Sequence, residues 1–118
     1  AKRLSKKSGS RIEMLENAKK AIKNADIVVT DTFISMGSNS QRTKRLKTFL
    51  PEYQVNTNLM DRAKKDAIFM HCLPSHRGEE VTDEVIDGTK SVVWDEAENR
   101  LHSQKALLAL LLLDESSC

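Results

Sequence analysis

Four groups of residues in this chain carry side chains able to do chemistry: Asp31, Ser35-Met36-Gly37, His71-Cys72-Leu73-Pro74 and Arg100. A carboxylate at Asp31 can hold an amine or take a proton, although aspartate after a strand is also an ordinary turn residue. Ser35, Met36 and Gly37 combine a hydroxyl, a flexible apolar side chain and a backbone that a ligand can approach closely. By composition alone they form a loop. Cys72 admits three readings. It is a small apolar residue, a nucleophile paired with His71, or a zinc ligand together with His71 and His76. Neighbouring strand residues point to opposite faces, so His71 is badly placed to deprotonate Cys72 or to share a metal with it. Arg100 offers a planar fork of donors for a phosphate or a polarised carbonyl oxygen, against the plainer alternative of a surface ion pair.

The elements that must position these groups are legible from hydrophobic pattern. The run 27–30 is β-branched throughout and predicts a strand buried on both faces. A second strand is expected at 67–70, ending in His71, and a third at 91–94; 11–15 reads as a short edge strand. Helices are expected at 17–24, 41–49, from Asn56 through Ala63, around 84–86, and over 96–113. Gly9 is placed to cap a first helix that ends near Lys7. Strands alternating with helices predict an α/β fold: a partial doubly wound parallel sheet with crossover helices, ending in a long apolar docking helix. Ligands gather at the carboxyl ends of such strands, where Asp31, His71-Cys72 and Asp95-Glu96 fall. The stretch 106–113 is apolar all round, so it is expected to be buried on more than one face, against another domain.

Composition narrows the class. With 118 residues, 39% hydrophobic and 31% charged, the chain suits one soluble globular domain, small for a two-substrate enzyme. A net charge of +2 is too weak to argue for nucleic acid. The apolar run falls well short of the roughly 20 residues a membrane span requires, and no leader pattern is visible. Cys72 and Cys118 make a disulfide framework improbable, which points to a reducing compartment.

Taken in order, Asp31-Thr32-Phe33-Ile34-Ser35-Met36-Gly37, Phe69-Met70-His71-Cys72-Leu73-Pro74 and Asp95-Glu96-Ala97-Glu98-Asn99-Arg100 resemble the carboxy-terminal, ornithine-binding part of the ornithine carbamoyltransferases. The resemblance runs from about Lys6 to Leu113. It implies a protein of two α/β domains, assembled as a trimer. Such a protein transfers the carbamoyl group of carbamoyl phosphate to the δ-amino group of ornithine, without cofactor or metal. It implies that Asp31 and Ser35 hold the α-amino group of ornithine and that the Met36 backbone helps bind its carboxylate. Cys72 would lie beside the δ-amino nucleophile, with the Cys72 and Leu73 carbonyls accepting from the carbamoyl amide. Arg100 would steady the carbamoyl oxygen. The whole of 1–118 would then be the carboxy-terminal portion of the ornithine domain, with 96–113 packing on a carbamoyl-phosphate domain. The same resemblance implies a place in arginine biosynthesis or the urea cycle, in cytoplasm or mitochondrial matrix.

Aspartate carbamoyltransferases carry proline where Cys72 stands. Putrescine carbamoyltransferases lack the Ser-Met-Gly loop, so the pattern favours ornithine. The family's phosphate-binding Ser-Thr-Arg-Thr and His-Pro-x-Gln runs are not found in this sequence. A chain without them is expected to be inactive by itself. The rival expectation from another class is a non-catalytic amino-acid-binding or association module derived from that domain. Cys72 beside Asp31 is expected to resist ionisation, which argues for positioning or proton handling over covalent catalysis.

Overall fold

Ile27–Thr30 forms strand β1, and all four residues are β-branched, a type that fits a pleated surface. It pairs in parallel with β2, Ile68–His71, in the register Ile27↔Ile68 to Thr30↔His71. The computed structural model describes residues 2–34 and 42–113. Around the two strands the helices run in chain order: α1 (Lys2–Ser8), α2 (Ala18–Ala21), α3 (Arg42–Phe49), α4 (Thr57–Met60), α5 (Asp83–Ile86) and α6 (Val93–Leu112). Parallel strands cannot be joined by a tight turn, and here α3 and α4 lie in the crossover.

One face of the sheet makes the core. Val28 and Phe69, partners in the ladder, pack with Ile22, Val55, Leu59, Met60, Val81, Val85, Ile86 and Val93. Phe69 is fully enclosed, and burial of such a side chain contributes about 1.5–3 kcal/mol. Short helices are fixed by their caps. The side chains of Asn17 and Asn56 accept from the N–H groups of Lys20 and Leu59, so α2 and α4 begin where capping asparagines stand. Farther out, Phe33 stacks on Phe49 at 5.1 Å, and Tyr53 meets Phe49 edge-on at 5.8 Å. Gly9, at φ 73°, takes the left-handed conformation expected after α1.

Three expectations need correction. Residues 11–15 form no strand; Ile12, Met14 and Leu15 stand exposed, and no neighbouring strand pairs with them among the described residues. β1 is buried on one face only, because Ile27 and Val29 remain 53% and 65% exposed beside an open groove that Leu15, Phe33 and Tyr53 help to wall. The third strand contracts to one bridge, Phe69↔Ser91, since the chain turns helical at Val93 and Trp94. The amide of Glu96 takes the Val92 carbonyl that a longer strand would have offered to β2. The leucines of α6 are exposed within this chain, Leu110 by 81% and Leu112 by 77%; the cover expected for them is another domain. No described helix is long and apolar enough to cross a membrane.

Gly88 closes α5 where a side chain has no room: a Cβ there would lie 2.5 Å from the Glu84 carbonyl oxygen. Gly88→Ala is therefore expected to lower unfolding stability by about 1–3 kcal/mol in chemical denaturation. An unchanged midpoint would mean that the end of α5 relaxes freely.

Candidate functional site

Because β1 and β2 run in parallel and stop level with each other, the residues immediately beyond them meet. Asp31 follows Thr30, Cys72 follows His71, and Thr30↔His71 is the last ladder pair. The Cys72 thiol donates to Asp31 Oδ1 at 3.4 Å, and the same oxygen accepts from the Thr32 amide at 2.7 Å. Both side chains are exposed. The Thr32 amide, and after it the Cys72 thiol, hold the Asp31 carboxyl below its ordinary range. Partial desolvation raises the Cys72 thiol above its ordinary value, and the hydrogen bond and charge of Asp31 raise it further. The pair is thus a carboxylate ready to accept and a thiol that stays protonated.

His71 faces the opposite way. It is fully buried with Glu80, also fully buried, and the two meet at 3.2 Å between Nε2 and Oε1. Its other nitrogen, Nδ1, accepts from the Leu73 amide at 2.9 Å. An amide can only donate, so Nδ1 carries no proton and the ring proton sits on Nε2, directed at Glu80. Both ring nitrogens are therefore engaged. This geometry disposes of the His71–Cys72 nucleophile pair and of the zinc site from His71, Cys72 and His76. The Leu73 amide bond accompanies an unusual backbone: Leu73 lies at φ 53°, left-handed for a residue with a side chain, which costs about 1–3 kcal/mol. The Leu73–Pro74 peptide that follows is cis. The corner at Cys72-Leu73-Pro74 is thereby held from inside, through a neutral imidazole, by a carboxylate in the core.

Glu96 anchors the same strand end from a second side. Phe69 N–H donates to Lys90 and Val92 N–H donates to Phe69, but the ladder then ends as α6 begins. The next strand amide, His71 N–H, donates to Glu96 Oε2 at 3.0 Å. A side chain from the first turn of a helix replaces a strand partner.

Arg100 lies further along α6, exposed, and shares a shallow depression with Met70, Glu96 and Asn99. Among the described residues no hydrogen bond links it to Asp31 or Cys72. Ser35 and Met36 lie outside the described residues. Of the residues singled out in the sequence, the fold brings Asp31 to Cys72 and Leu73 to the same corner, and leaves Arg100 on the neighbouring helix. Sequence reasoning missed Glu80 and the hydrogen-bonding role of Glu96. Glu80 sits in a polar stretch that reads as solvated loop, and no periodicity distinguishes it from Glu79.

Comparison with known proteins gives this geometry a family. The family model for the aspartate/ornithine carbamoyltransferase Asp/Orn-binding domain matches residues 1–111. An ornithine carbamoyltransferase of Pyrococcus horikoshii is 59% identical over 105 residues, 89% of this chain and 33% of that protein. One from Bifidobacterium longum subsp. infantis is 59% identical over 111 residues, 94% of this chain and 34% of its own length. Among solved structures, the ornithine carbamoyltransferase of Pyrococcus furiosus superposes with a TM-score of 0.84 at 55% identity, covering 92% of this chain and 34% of that one. The anabolic enzyme of Campylobacter jejuni gives 0.87 at 37% identity, covering 93% and 36%. The chain spans about a third of the length of the curated relatives it matches. With a family domain matched over nearly its whole length, and the parallel α/β core of those structures, the chain belongs to the aspartate/ornithine carbamoyltransferase family.

Proposed function

We infer that this chain supplies the ornithine-side half of an ornithine carbamoyltransferase active site, and that turnover belongs to a longer protein carrying a carbamoyl-phosphate domain. The observation that carries the reading is the meeting of Asp31 and Cys72 at the carboxyl ends of two parallel strands, in a chain of this family. The substrates are ornithine and carbamoyl phosphate, and the products citrulline and phosphate. Asp31 remains ionised through neutral pH and attracts a substrate ammonium group; Ser35 and the Met36 backbone complete recognition of the amino-acid head. Held in line, two small substrates lose much of the entropic barrier to reaction.

The chemical step is attack by a neutral δ-amine on the carbamoyl carbon. The nitrogen–carbon bond forms, negative charge builds on the carbamoyl oxygen, and the carbon–oxygen bond to phosphate breaks as phosphate leaves, taking up the proton that the attacking nitrogen gives up. Arg100 is the donor for that charge, reached when substrates and the second domain draw its exposed guanidinium toward the strand ends. The carbonyls of Cys72 and Leu73 orient the carbamoyl amide, in the corner that His71 holds. Cys72 lies beside the attacking amine as a protonated thiol. Helix α6, with its exposed leucines, packs on the carbamoyl-phosphate domain, and the intact protein assembles as a homotrimer serving arginine biosynthesis in the cytoplasm.

Three outcomes test this reading. The 118-residue chain given ornithine and carbamoyl phosphate should form no citrulline, whereas the same residues within the intact protein should; turnover by the short chain alone would overturn the division of labour. With Cys118 replaced by Ser, alkylation of Cys72 by iodoacetamide should rise with pH through a midpoint above the ~8.5 of a free thiol. Asp31→Asn should move that midpoint down, since a neutral amide no longer opposes the thiolate. A wild-type midpoint below the free-thiol value would revive a nucleophilic cysteine. In sedimentation velocity the isolated chain should associate as concentration rises, and Leu110→Glu with Leu112→Glu should abolish it. A chain monomeric throughout would remove the case for α6 as a docking face.

A further inference from the structure

Beyond the substrate corner, the turn that carries Glu80 holds a second cluster. His76, Glu79 and Glu80 each offer one ligand atom, and the three atoms lie within 4.8 Å of one another. An acidic cluster alone means little, but two of its oxygens are in an unusual state. Glu80 is fully buried; its Oε1 accepts from the His76 amide at 2.5 Å and faces His71 Nε2 at 3.2 Å. Its Oε2 is equally buried, has no hydrogen-bond partner among the described residues, and sits 3.9 Å from His76 Nδ1. Glu79 repeats the pattern: Oε1 pairs with Arg42, while Oε2 is buried without a partner among the described residues. Carboxylate oxygens left this way are costly, and a cation relieves both at once.

The frame around them is fixed. Val55 N–H donates to the Glu80 carbonyl at 2.9 Å, and Gly78 N–H to the Val81 carbonyl at 2.8 Å. The Gln54 side chain donates to the carbonyls of Gly78 and Glu79 at 2.8 and 3.0 Å. The His76 side chain is 44% exposed, which leaves it room to turn. We propose that His76, Glu79 and Glu80 form a divalent-cation site.

One imidazole nitrogen and two carboxylate oxygens suit Zn²⁺ among the common cations, with a fourth position left to solvent. Bonds of about 2.0–2.2 Å put tetrahedral ligands roughly 3.3–3.6 Å apart, so the 3.9 Å between His76 and Glu80 must close by a few tenths of an ångström, and separations of up to 4.8 Å within the cluster by more. Rotation of the exposed imidazole supplies the first, and a shift of the Glu79 carboxylate the second. Among the described residues the charges facing the site are the two carboxylates and the Arg42 guanidinium; His71 is neutral by its hydrogen bonding. Arg42 opposes the cation and weakens its binding.

The test uses the 118-residue chain with Cys72→Ser and Cys118→Ser, so that no thiol competes. Calorimetric titration with Zn²⁺ at about pH 7.5, where imidazole is neutral, should give one equivalent bound. His76→Ala and Glu79→Gln should each weaken binding roughly tenfold or more. His102→Ala, which removes the other exposed histidine beside a glutamate, should leave it unchanged. Co²⁺ should give visible bands that vanish in His76→Ala. Because Glu80→Gln is liable to unfold the core, the exposed His76 is the decisive position, with circular dichroism as the folding control. No binding, or binding that survives His76→Ala, overturns the site and leaves water as the occupant of the two oxygens.

Discussion

A carboxylate taken out of water is tolerated only when hydrogen bonds replace its hydration, and Glu80 is fully enclosed. Its Oε1 draws on two donors, the His76 amide and the His71 ring. That arrangement orients the imidazole, the imidazole receives the Leu73 amide, and Leu73 is thereby kept in a backbone conformation that few residues with side chains adopt. Remove the carboxylate and the ring's Nε2 proton loses its acceptor. The corner rests on a polar relay running from the core outward, and Cys72 lies exposed at its outer end.

A second constraint enters from α6. Its first turn contributes the Glu96 carboxylate to the His71 amide, so the end of β2 is tied to the helix that bears the exposed leucines. If that helix seats on another domain, movement of the domain is felt at the strand end through one hydrogen bond. Arg100 rides on the same helix, just over one turn beyond Glu96. Docking of α6 would in this way also place Arg100, because both belong to a single element.

Much of this was readable in the sequence because it obeys local rules. The β-branched run at 27–30 became β1, Asn56 capped α4, and Asp31 and Cys72 converged because parallel strands share an end. What escaped was decided by tertiary context. Ser91, Val92, Val93 and Trp94 have good strand propensity, yet the chain turns helical at Val93, with Glu96 supplying the bond a strand would have made. The expectation that β1 is buried on both faces assumed neighbours on each side, and Val29 has them on only one. Glu80 looked like loop polarity because charge along a sequence does not reveal which carboxylate points inward. The opposed directions of His71 and Cys72, by contrast, follow from strand alternation alone.

The open side of β1 carries one more consequence. The sheet has two strands, so one edge of β1 presents its amides and carbonyls without a partner strand among the described residues, next to an apolar groove. Such an edge is a template for any extended peptide, which could add itself as a further strand and lay alternate side chains into the groove. Left unpaired, it is open to foreign strands or to further copies of the chain, which compete for it.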